Sequence, residues 1–135
     1  MRTVGVDLDG TISKAGLYNP SLKLPCWLFV FLVPIIVLTK PDKRAVRRLK
    51  EFEEADCKIV IISARPPWAY KITEMWFSAH KIPFTKIFCV GFGKGTKQRK
   101  IDIIEKEGID HFFDDDKRMA NFLNQHSVKA TSIFS

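Results

Sequence analysis

Val4-Gly5-Val6-Asp7-Leu8-Asp9-Gly10-Thr11-Ile12 constrains this chain more than any other stretch. A short apolar run stopped by Gly10 reads as a buried strand followed by a turn. Side chains alternate along a strand, so Asp7 and Asp9 project the same way. Two carboxylates at one strand end are costly unless a cation or a proton lies between them. A hard divalent cation such as Mg²⁺ suits carboxylate oxygens and usually brings waters and substrate phosphate. One carboxylate there can also attack phosphorus and form an aspartyl-phosphate, while the other exchanges protons with leaving group and water. A bare D-x-D-G is explained equally well by a strand end and an Asp-Gly turn. The longer string behind an apolar strand is more specific.

The 135 residues suffice for one domain with a real core. A hydrophobic share of 46% against 27% charged residues is ordinary for a globular protein. Cys26, Cys57 and Cys89 are scattered and lack C-x-x-C spacing, which argues against a disulfide framework or a zinc site. The expected location is a reducing cytoplasm, with membrane association open. Catalytic-type residues begin at Asp7, so no secretory signal is expected at the start. The net charge of +7 favours anionic substrates or acidic lipid surfaces, although solubility alone accounts for it as well. No specific nucleic-acid binding is expected.

Residues 2–7 form the first predicted strand, and 13–23 read as a loop. Residues 24–39 hold no charge, carry Trp27, Phe29 and Phe31, and are bordered by Lys14 and Lys23 before and by Lys40, Lys43, Arg44, Arg47 and Arg48 after. The run is shorter than the roughly 20 residues of a spanning helix and is broken by Pro25 and Pro34. Core burial, a homo-oligomer interface and a peripheral membrane hairpin all fit it. A crossing is excluded, because Asp7 and the later candidate site residues must meet on one side of a bilayer.

Beyond it, Pro41–Ala55 reads as a helix with Pro41 in its first turn and Val46, Leu49 and Phe52 facing inward. Lys58–Ser63 is an apolar strand of the kind buried on both faces, leading into Ala64, Arg65 and Pro66. Arg65 is placed to meet an anion or to lie on the surface. A helix over Trp68–His80 has an apolar stripe of Ile72, Met75, Trp76 and Ala79, and His80 is structural. Lys86–Val90 is a strand, followed by Gly91, Gly93 and Gly95 in a turn that matches no phosphate-loop motif. Thr96 is expected to cap a helix reaching about Glu107, buried through Ile101, Ile103 and Ile104 and stopped by Gly108. Ile109–Phe113 is a strand ending in Asp114-Asp115-Asp116. A helix over 117–124 and a strand within 128–134 complete the chain. Alternating strands and helices give an α/β class: a three-layer, Rossmann-like domain around a central parallel sheet.

D-L-D-G-T at 7–11, I-I-S-A-R-P at 61–66 and K-I-D-I-I-E-K-E-G-I-D-H-F-F-D-D at 100–115 resemble, in order, the four motifs of the haloacid dehalogenase (HAD) superfamily of phosphatases. That resemblance implies Asp7 as nucleophile and Asp9 as general acid/base. It implies Ser63, Ala64, Thr11 and Lys100 as phosphate-binding residues, with Lys97 the alternative lysine. It implies Mg²⁺ held by Asp7, Asp9, Asp114 and Asp115, with Asp116 only capping the next helix. A single domain over 1–135 with minimal or no cap follows, its atypical apolar insertion at about 14–40. The implied activity is Mg²⁺-dependent hydrolysis of a phosphorylated small molecule, a sugar phosphate or nucleotide being candidates. A phosphotransferase or mutase sharing the aspartyl-phosphate half-reaction is an alternative. So is a membrane- or partner-bound binding module with a vestigial site.

Overall fold

The computed structural model describes residues 2–8, 40–91, 95–114, 117–125 and 129–131. Asp9, Thr11, Asp115, Asp116 and the apolar run 24–39 lie outside the described residues, as do the loop 13–23 and Gly93. Five parallel strands form one sheet: β1 (Thr3–Asp7), β2 (Lys58–Ser63), β3 (Lys86–Cys89), β4 (His111–Phe113) and β5 (Ala130–Thr131), in the order β3-β2-β1-β4-β5. Among the described residues, four α-helices connect or follow them: α1 (Lys43–Glu54), α2 (Tyr70–Ala79), α3 (Thr96–Glu107) and α4 (Lys117–Gln125). The predicted α/β class and parallel sheet are therefore present.

β1 is the central strand and is buried along its whole length. The sheet's two faces carry two core clusters. On one side Val4 and Val6 pack with Ile59 and Ile61 of β2, Ala45 and Leu49 of α1, and Trp76 and Phe77 of α2. On the other, Val60 and Ile62 pack with Ile101 and Ile104 of α3, Phe112 of β4 and Leu123 of α4. Helices thus cover both faces of a sheet whose central strands are apolar on both sides. Gly5 has a steric reason to be glycine: a Cβ there would stand 2.7 Å from Phe112 Cδ2 and 2.9 Å from Ile109 Cδ1.

The helix ends correct three expectations. Asp42, not Pro41, begins α1, and its carboxylate accepts from the Arg44 N–H at 2.9 Å. Thr96 lies inside α3 and does not cap it; its hydroxyl donates to the Gly91 carbonyl at 3.0 Å while Gly95 stands at the N-cap. The buried side of α2 is Thr73, Trp76 and Phe77, whereas Met75 is 69% exposed and Ala79 is also exposed. Thr73 takes a core position because its hydroxyl donates back to the Ala69 carbonyl at 2.8 Å and accepts from Arg65 NH1 at 3.1 Å. A short 3₁₀ turn, Pro67–Ala69, precedes that helix. Gly108 ends α3 at φ 64, where Ile109 N–H reaches the Ile104 carbonyl at 3.0 Å. β4 consequently starts at His111, two residues later than the apolar pattern suggests.

Candidate active site

The strand register decides which side chains meet. Val6 pairs with Phe113, so Asp7 and Asp114 emerge side by side at the C-terminal ends of β1 and β4. Asp7 also pairs with Ile62, so Ser63 follows at the same edge on β2. Ligands of open α/β sheets collect beyond these carboxyl ends. α3 begins there too, because it follows β3, and its second turn carries Lys100 toward the sheet.

Lys100 Nζ donates to Asp7 Oδ1 at 2.9 Å and stands 3.8 Å from Asp114 Oδ2. The three residues are 1%, 8% and 4% exposed. Burying charge is tolerable only with partners at such distances. The hard carboxylate oxygens gathered here are of the kind that suits a divalent cation such as Mg²⁺. Among the described residues, which do not include Asp9 and Asp115, no group of three metal-type ligands occurs. Of the two candidate lysines, Lys100 is the one beside Asp7. Lys97 is exposed and its ammonium lies 5.4 Å from the centre of the Phe122 ring.

Ser63 is fully buried and its Oγ accepts from the Arg65 N–H at 3.0 Å. Ala64, the next residue, is 4% exposed. Arg65 is 1% exposed, so it lies in the interior and not on the surface; its guanidinium is tied to Thr73. Arg99 is another residue whose place the sequence does not reveal. Its Nε donates to the Val90 carbonyl at 2.7 Å, and NH2 reaches the Gly91 carbonyl at 3.3 Å and Thr96 Oγ1 at 3.2 Å. It fastens the β3 exit to the start of α3, one residue before Lys100. The glycine spacing marked a turn there, but nothing local marked Arg99 as its fastener.

No family profile matches the sequence, and no curated protein matches it. Solved structures do. A chain of a Pnkp1/Rnl/Hen1 RNA repair complex aligns with 97% of this chain at TM-score 0.75 and 14% identity, over 42% of its own length. The D,D-heptose 1,7-bisphosphate phosphatase of B. bronchiseptica, complexed with magnesium and phosphate, aligns with 97% of the chain and 79% of its own at TM-score 0.57 and 12% identity. The HAD domain of the Legionella pneumophila effector Lem4 aligns with 97% and 84% at TM-score 0.57 and 19% identity. The fold is that of the HAD phosphatases. At these identities the likeness establishes the HAD-type fold alone, and the chain spans less than half of the RNA-repair chain that it matches. Within the HAD-type fold, Asp7, Lys100 and Asp114 stand at the carboxyl edge of the sheet.

Proposed function

We propose that this chain is a phosphoric monoester hydrolase working through an aspartyl-phosphate on Asp7. One observation carries the reading: Lys100 Nζ, 2.9 Å from Asp7 and 3.8 Å from Asp114, completes a buried charge triad at the sheet edge. An Asp7 oxygen attacks phosphorus, the ester P–O bond breaks, and Asp9 gives its proton to the leaving oxygen. Water then attacks the aspartyl-phosphate, Asp9 takes a water proton, and inorganic phosphate leaves a free Asp7 carboxylate. Lys100, the Ser63 hydroxyl, Thr11 and Ala64 hold the phosphoryl oxygens as charge builds on them. Asp7, Asp9, Asp114 and Asp115 would hold Mg²⁺, which when bound neutralises phosphoryl charge. A phosphorylated small molecule is the proposed substrate, supported by the heptose bisphosphate phosphatase among the structural neighbours.

The test is phosphate release from p-nitrophenyl phosphate by the full chain with Mg²⁺. Asp7→Asn should lower turnover by several orders of magnitude, as expected when the nucleophile of a catalytic unit is lost. Turnover within tenfold of wild type would exclude Asp7 as nucleophile. Excess EDTA should abolish activity and Ca²⁺ should inhibit, because its larger shell misplaces the in-line attack. Full activity in EDTA would remove the metal from the mechanism.

A further inference from the structure

α1 carries its charge unevenly. Two of its arginines are engaged by acids: Arg44 Nε lies 3.7 Å from Asp42 Oδ1, and Arg48 NH1 lies 3.4 Å from Glu51 Oε2. Arg48 also sits 5.3 Å from the centre of the Phe52 ring. Lys43, Arg47 and Lys50 differ. They are exposed and have no hydrogen-bond or ion-pair partner among the described residues. Separated by four and three positions, they share one helix face. Together with Pro41, Val46 and His80 they line a concavity of about 340 Å³. Glu54, the next position on that face, is not part of the lining. Three cations around one hollow repel each other, and an approaching anionic surface relieves that repulsion.

A second hollow of about 240 Å³ adjoins the first and shares His80 with it. Its other walls are Ile72, Met75, Trp76 and Ala79. α1 and α2 bury their inner sides in the same core cluster, through Ala45 and Leu49 and through Trp76 and Phe77. Their outer faces therefore look in the same direction, away from the sheet. The cationic hollow and the apolar groove meet at His80, which lines both.

We infer that the outer face of α1 and α2 is a docking surface for an anionic bilayer. Lys43, Arg47 and Lys50 meet headgroup phosphates, and Ile72 and Met75 meet the headgroup–acyl boundary. A nucleic-acid strand would engage the cations and leave the apolar groove in water; a bilayer engages both. The inference does not rest on the phosphatase reading, and its test involves no turnover.

The test is co-sedimentation of the full chain with vesicles of phosphatidylcholine alone and with vesicles containing phosphatidylserine. Binding should require phosphatidylserine and be reversed on raising salt from about 0.1 to 1 M, which shortens the screening length from about 10 to 3 Å. Each neutralised cation should weaken binding about fivefold, so Lys43→Gln, Arg47→Gln and Lys50→Gln together should weaken it about a hundredfold. All three are exposed, so the thermal midpoint should stay put and separate lost docking from lost folding. Arg44→Gln with Arg48→Gln should weaken binding less than the triple change, since both arginines are already paired. Met75→Ser should weaken vesicle binding at unchanged charge. Equal binding to both vesicle types, or a triple variant that binds like wild type, would overturn the inference. So would a single-stranded oligonucleotide that is bound more tightly than the vesicles through the same three cations, with Met75→Ser silent.

Discussion

Replacing Lys100 by Met keeps the length and apolar stem of the side chain and deletes its charge. Asp7 and Asp114 then face each other at 8% and 4% exposure without the ammonium that stands 2.9 and 3.8 Å from them. Breaking a buried ion pair from one side costs about 3–5 kcal/mol, because the remaining charge is neither hydrated nor paired. With stabilities of about 5–15 kcal/mol, that is a large fraction of the total. For a chain of 135 residues, a loss of 1 kcal/mol lowers the midpoint by roughly 3–5 °C, so the expected shift is about 10–20 °C. Circular dichroism melts in metal-free buffer measure it. The cause is checked by adding Asp7→Asn and Asp114→Asn to Lys100→Met. With no carboxylate left to compensate, the triple variant should melt well above the single one; subtracting the effect of Asp7→Asn with Asp114→Asn in the Lys100 background from that difference gives the coupling of the triad. Phosphatase turnover of Lys100→Met should fall at least a hundredfold, as when a preorganised charge at the reacting oxygens is removed. An unchanged or raised midpoint in Lys100→Met would refute the claim that this lysine holds the two carboxylates together.

Gly5→Ala should cost about 1–3 kcal/mol, because its Cβ would lie within 3 Å of the Phe112 and Ile109 side chains in a filled core; urea melts measure this. His111 supplies a pH test. Burial, then the positive charges of Lys129, Arg2 and Arg48, push its imidazole below the ordinary value. The unfolded chain therefore takes up the proton first, and stability present above about pH 6.5 should fall as pH drops below it. His111→Gln should flatten the midpoint-against-pH curve between about pH 7.5 and 5.5 relative to wild type. In Mg²⁺ titrations of activity, Asp114→Ala should raise the metal requirement far more than Asp116→Ala, because Asp114 is the residue beside Asp7; coincident curves would show that the site register at 114–116 is wrong.

The frame of the fold was legible because it depends on local patterns. Apolar strands at Thr3–Asp7 and Lys58–Ser63 and the stop at Gly108 announce themselves within a few residues. Asp7, Ser63 and Asp114 were legible for the same reason, each ending such a strand. What was not legible depends on distant partners. Arg65 reads as meeting an anion or lying on the surface; instead Thr73, eight positions on, supplies an oxygen for it in the interior. The α2 stripe was misplaced because a threonine bonded to Ala69 and Arg65 fills the core position that an apolar count awards to Met75 or Ile72. The motif resemblance favours Lys100 and keeps Lys97, three positions earlier, as the alternative; the packing of α3 puts Lys100 beside Asp7 and Lys97 over Phe122.

The position of β1 in the middle of the sheet has a consequence for synthesis. Its partner on one side, β2, begins at Lys58, but its partner on the other side, β4, begins only at His111. A ribosome adding about 5–20 residues per second completes β4 roughly 3–10 s after β2. During that interval one edge of β1 lacks its neighbour; Asp7 has been made, Lys100 follows only late in it, and Asp114 comes after it. The nascent chain therefore bears a sticky, unfinished edge and no complete charge triad until the last third of the described chain has emerged.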